Sequence, residues 1–283
     1  MDKLNEALPK SVREKTKKVI RENRGHISIY VCFFVALLFM YFIFSDGDFS
    51  FLLTLSSLIS VLSFLIVIYC MESTKSCKGI SLQTMISYLI LLLARLLSIT
   101  IHQGYLPSDS SGDFLYQFSE FICLVLSGYV VYLCKVRFNN TYQDEDDILE
   151  YKYLVAPCLL LAIFIHPSLN HTFITDVSWV FALYVETICV LPQLLMFQKA
   201  DKVVPAVAHF TAAQSLAKVL SFVFWLSTYR ELNSKGNMLK PYVGHWVIFT
   251  QVVQILLVAD FVLHYIRCIT RGISVELIMS DNV

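Results

Sequence analysis

The fold class predicted by this sequence is an all-α polytopic membrane protein, and three observations carry that reading. Apolar residues make up 57% of the 283 residues. The mean hydropathy is +0.64. Apolar runs of spanning length recur along the chain, separated by short polar turns. A helix rises about 1.5 Å per residue and the hydrocarbon core is about 30 Å thick, so roughly 20 such residues cross it. The net charge of zero leaves no basic footprint for nucleic acid. The eight cysteines, Cys32 to Cys268, show no CxxC pair and no metal-ligand spacing. No metal or cofactor is expected.

Residues 1–26 are polar and basic, and Ser11 with Glu14 forms a capping-box pattern ahead of KTKKVIRENR. A first span is expected over 27–44, followed by the acidic turn SDGD. The second span runs over 50–70 and the third over 84–101, with Arg95 inside it. The fourth is expected over 114–134, and the loop KVRFNNTYQDEDDILEYK after it is strongly polar. The fifth, 152–166, is short for a crossing. The sixth, Ile174–Gln198, is the stretch around which the chain is organised, and Pro192-Gln193 near its end frees a carbonyl and adds an amide that both need partners. The seventh, 206–229, contains Lys218, and the eighth covers 243–266.

Lys and Arg near the span ends set the orientation. One side collects Lys3 to Arg24, Lys75, Lys78, Lys135, Arg137, Lys152, Lys199, Lys202, Arg267 and Arg271, and the other collects Arg230, Lys235 and Lys240. The first side is therefore expected to be cytosolic, with both termini on it. The sequon Asn170-His171-Thr172 then falls in a luminal turn.

Charges within spans are the functional signal, because a carboxylate at bilayer depth costs about 2.5–3.5 kcal/mol even on lenient scales. Asp176, Trp179, Leu183 and Glu186 share one helical stripe. On the seventh span Gln214, Lys218, Ser221 and Trp225 form another. Glu186 and Lys218, both mid-span on adjacent antiparallel helices, are expected to form a buried ion pair. Arg95 has nothing local to pair with, so its partner must lie on another helix. Trp225 reads equally as cavity lining or as an interfacial anchor. Asp260 and His264 share a face near the end of the last span. Together these residues suggest a cavity open to the lumen, charged at its mouth and sealed by an ion pair beneath. Nothing in the chain matches a nucleophile triad, a phosphate loop or a paired metal site, so no enzyme is expected.

At this point the residues become familiar. SCKGIS, RFNNTY followed by YLVAP, WVFALYVETICVLPQL and VVQILLVADF occur in order between about residues 50 and 272. They resemble the KDEL receptor family, the ER lumen protein-retaining receptors. The resemblance implies a seven-helix core related to SWEET and PQ-loop transporters, built from two three-helix repeats, here with one extra N-terminal transmembrane helix. The chain then divides into a cytosolic basic leader (1–26), the extra helix and its luminal turn (27–48), a receptor-like core (49–268) and a cytosolic tail (269–283).

By the same resemblance, Arg95 meets the carboxylate of a retrieval signal. Asp176 helps hold the signal's basic residue, and Trp179 and Trp225 line the cavity. Glu186 pairs with Lys218, where the family has an arginine. Asp260 is linked to retrograde transport, with Arg267 and Arg271 as the remnant of the family's C-terminal basic cluster. The implied partners are luminal proteins with C-terminal signals, a COPI-type coat on the cytosolic side and membrane lipid, in the ER and Golgi membranes. The chain departs from the pattern at Leu53 and Thr228, where the family has arginines, at Ser60, where it has a histidine, and at Ser98, where it has an acid. Two other classes of function stay open: a small-solute transporter of the SWEET or PQ-loop kind, and a trafficking or structural membrane protein whose buried charges only specify packing.

Overall fold

Long apolar runs leave the chain little choice but helix, and polar turns and prolines decide where each helix stops. The structure, a computed structural model, describes residues 50–102, 113–166, 172–232 and 242–277. The expected basic leader, first span and sequon turn lie outside these. Helix α1 is Ser50–Thr74, α2 Leu82–Ile101, α3 Asp113–Tyr132, α4 Tyr151–Phe164, α5 Phe173–Ile188, α6 Leu191–Lys199, α7 Pro205–Thr228 and α8 Val243–Arg271. Among the described residues six stretches are long and apolar enough to cross a membrane, with α5 and α6 together forming one of them. The chain is thus an all-α, multi-pass membrane bundle. Helix α4, apolar throughout, has 14 residues and is the short member that the sequence suggested.

The expected sixth span divides in two. Pro192 at the start of α6 lacks an amide hydrogen, and its ring crowds the carbonyl four residues back, which is Ile188, the last residue of α5. The break sits at the point where the helix turns toward the loops at one end of the bundle. There Gln193, fully buried, accepts from the Ser81 amide at 2.9 Å and donates to the Gly79 carbonyl at 2.9 Å, while its own amide donates to Thr84 Oγ1. Ser81 caps α2 by accepting from the Thr84 amide and donates to Asp147 Oδ1 at 2.7 Å. Asp147 also accepts from the Gln83 amide and from the Tyr142 hydroxyl. Burial, then the adjacent Asp147 carboxylate, push the Tyr142 phenol above its usual range. We call this the basal end.

Gly79 has φ +80°, in the left-handed region, and a Cβ built on it would lie 2.9 Å from Val204 Cγ2. Gly79→Ala is therefore expected to cost at least roughly 1–2 kcal/mol, the left-handed penalty for an L-residue, with Val204 displaced besides. Thermal unfolding in detergent checks this, and an unchanged midpoint would mean that the loop relaxes freely.

Helix α1 packs on α3 and α7, α2 on α3 and α5, α4 on α5, and α8 on α7 and α5. The α5–α6 stretch is the axis: 83% of its apolar window is buried, against 33–50% for the other five. The outward faces carry large apolar residues such as Leu93, Phe118, Leu160, Leu226 and Leu256, all exposed and suited to lipid. Polar side chains turn inward. Ser56 Oγ donates to the Ala217 carbonyl, and Gln214 Nε2 donates to Ser63 Oγ, which ties α1 to α7. Phe64, Tyr88 and Phe210 form an aromatic cluster with centroids 5.4–6.2 Å apart.

Candidate binding site

The in-span charges on α2, α3, α5 and α7 converge on one point. Glu186 on α5 accepts from Lys218 Nζ on α7 through Oε1 and from Arg95 Nη2 on α2 through Oε2. Arg95 Nη1 also reaches Glu120 Oε2 on α3 at 3.3 Å. The four side chains are 5–12% exposed, so this is a buried, charge-balanced network of two cations and two carboxylates. Burying such charges costs several kcal/mol each, which is offset only when each charge has an opposite partner and further hydrogen bonds. Glu120 has such a bond, since Ser57 Oγ donates to its Oε1 at 2.8 Å and Ser119 Oγ donates to Ser57 at 2.8 Å. Gln254 Nε2 on α8 donates to the backbone carbonyl of Glu186 at 2.7 Å and fixes that turn of α5.

Around the network lies a narrow cavity of about 40 Å³, room for a few waters. Arg95, Glu120, Glu186 and Lys218 supply its charge, Trp179 and Trp225 its aromatic wall, and Ser56, Ser57, Ser60 and Ser221 its hydroxyls. The two indoles meet edge to face, centroids 5.6 Å apart, and each is 5% exposed. Trp225 is thus part of the cavity wall and not an anchor at the membrane surface. Below the cavity, toward the basal end, Gln214 bridges Ser63 and Tyr88, with the aromatic cluster beneath.

A model of the family described as ER lumen protein retaining receptor matches residues 76–228, more than half of the chain. The chain belongs to the ER lumen protein-retaining receptor family. It is 28% identical over 218 residues to the ER lumen protein-retaining receptor of Drosophila melanogaster, covering 77% of this chain and 93% of that one. It is 30% identical over 207 residues to receptor B of Arabidopsis thaliana, covering 72% and 87%. The receptor of Kluyveromyces lactis is 29% identical over 222 residues, covering 76% and 92%.

Against the site residues expected of such a retaining receptor, the geometry is uneven. Arg95, Trp179, Trp225, Glu186 and Lys218 meet at the cavity. Leu53 and Ser60, which stand where the resemblance implies an arginine and a histidine, line it too. Asp176 is 2% exposed and lies one turn from Trp179, and it is not among the lining residues. Asp260, Arg267 and Arg271 are exposed on α8, away from the cavity, and Asp260 lies 3.5 Å from His264 Nδ1. Glu120 and Ser57 were not anticipated. The signal was available for Glu120, since it is the only charged residue between 114 and 134, and a lone carboxylate inside a span demands a partner.

Proposed function

We propose that this chain is a retrieval receptor that binds the C-terminal ends of luminal proteins, of the HDEL or KDEL kind, in the cavity around Arg95 and returns them from the Golgi to the ER. The observation that carries the reading is a guanidinium in a largely buried wall, framed by two tryptophans and hydroxyls on the far side of the bundle from the basal end. A free carboxylate suits that group because the planar fork offers two charged, parallel hydrogen bonds. In this reading the basal end faces the cytosol, both termini lie there, and Arg267 and Arg271 present the coat-facing surface. The Glu186–Lys218 bond and the Gln214, Tyr88 and Phe64 layer stand between the cavity and the basal end, which favours a one-sided receptor over a solute transporter.

The test is binding of synthetic peptides ending in His-Asp-Glu-Leu or Lys-Asp-Glu-Leu to the purified protein, each made as the free acid and as the C-terminal amide. The acid is expected to bind roughly tenfold or more tighter, the worth of a charged hydrogen bond. Arg95→Ala should erase the difference, and Arg95→Lys, which keeps the charge but loses the fork, should reduce it. Equal binding of acid and amide to the unmutated protein would remove Arg95 as an anchor and assign the four charges to packing.

A further inference from the structure

We propose that Glu120 is a built-in competitor for the ligand's carboxylate, holding Arg95 in the empty cavity and setting how strongly a peptide end must bind to displace it. The inference rests on reading Arg95 as the carboxylate anchor.

Both terminal nitrogens of Arg95 are engaged by the chain's own acids, Nη1 by Glu120 and Nη2 by Glu186. The two acids are not equally committed. Glu186 carries a second cation, Lys218, and the carbonyl of its own residue is held by Gln254. Glu120 reaches Arg95 at 3.3 Å, and its other oxygen accepts a neutral hydroxyl from Ser57. Ser57 in turn receives the Ser119 hydroxyl. Removing Glu186 from Arg95 breaks into a two-cation knot, whereas removing Glu120 breaks one longer contact and leaves a hydroxyl pair beside it.

The space argues the same way. The cavity has room for only a few waters, so a ligand carboxylate competes for space with the four charges already there. The carboxylate must take the place of one already there, and Glu120, which lines the cavity with Tyr116 from the same helix, is the exchangeable one. Glu120 is thus a specificity-determining residue. A ligand without a free carboxylate has nothing to offer Arg95 in exchange, while a ligand with one is bound more weakly than the bare guanidinium would bind it.

The experiment uses the full chain, unmutated and as Glu120→Gln, with peptides randomised over their last four residues, prepared once as free acids and once as amides. The glutamine keeps an acceptor for Ser57 but not the charge. Retention of the acid pool is expected to rise about tenfold in Glu120→Gln with the amide pool unchanged. Glu120→Asp, one methylene shorter and drawn back from Arg95, should give an intermediate rise, and it serves as the readout if the glutamine variant fails to fold. An acid preference in the unmutated protein that neither variant alters would overturn this inference alone, as would an equal rise for both pools. No retention of either pool by any form would overturn the anchor reading of Arg95, and this inference with it.

Discussion

Glu186→Ala is expected to be among the most damaging single changes in this protein, costing roughly 3–5 kcal/mol, the range seen when one partner of a buried ion pair is removed. The carboxylate bridges Lys218 and Arg95, so its loss leaves two cations facing each other in the same buried wall. The consequences differ for the two. Arg95 retains Glu120, whereas Glu186 is the ion-pair partner of Lys218 among the described residues. The stranded charge is therefore the lysine, and the rescue follows from that. Lys218→Met placed on top of Glu186→Ala should recover at least half of the loss, because it removes the orphan cation and leaves the Arg95–Glu120 pair intact. Thermal or denaturant unfolding in detergent of the two single variants and the double gives the coupling. If the double variant equals the sum of the singles, the two groups are independent and the network is wrongly drawn.

Gln193→Met should be the next largest. Methionine matches the glutamine in length and bulk, so the change removes hydrogen bonds without opening a cavity. It leaves the Ser81 amide, fully buried, without an acceptor and the half-buried Gly79 carbonyl without its donor. An unsatisfied buried group costs about 1–3 kcal/mol each, and the two lie on the same turn. The damage should be local before it is global. Hydrogen exchange at the amides of 79–84 should quicken ahead of the bundle core, because Gln193 and Asp147 together pin the start of α2 to α6 and to the polar loop. A loss below about 1 kcal/mol would show that water reaches these groups and takes over their bonds.

Much of this architecture is legible in the residues themselves because bilayer physics is severe. Hydropathy located the described spans to within a few residues, and Arg95, Glu186 and Lys218 stood out for the cost of leaving a charge in hydrocarbon. The pair expected between Glu186 and Lys218 is there, but as half of a larger network. A sequence reading that finds one acid and one base at matching depth stops when both are satisfied and does not ask whether the acid has a second oxygen to offer. Arg95 demands a partner on another helix, but that demand does not say which helix carries it, and Glu120 on α3 is the carboxylate that answers. The split between α5 and α6 was signalled by Pro192, but the fate of the freed polar groups was not. Their partners, Gly79, Ser81 and Thr84, lie more than a hundred positions away, and no local pattern encodes that meeting. Asp176 shows the converse. The stripe spacing is correct, yet a stripe on a helix wider than its cavity includes residues that the cavity does not reach.

The four network charges leave the ribosome in the order Arg95, Glu120, Glu186, Lys218. Helices nearer the N-terminus enter the membrane first. Arg95 arrives alone and waits for one helix, α3, which neutralises it. Helix α5 then brings a surplus carboxylate that persists until α7 delivers the lysine. At no stage does the growing chain hold more than a single uncompensated charge from this network within the bilayer. A chain arrested between α5 and α7 carries one such charge, on the helix destined to be the most enclosed of the bundle. That half-made product is thereby distinguishable from the finished one by a single uncompensated acid.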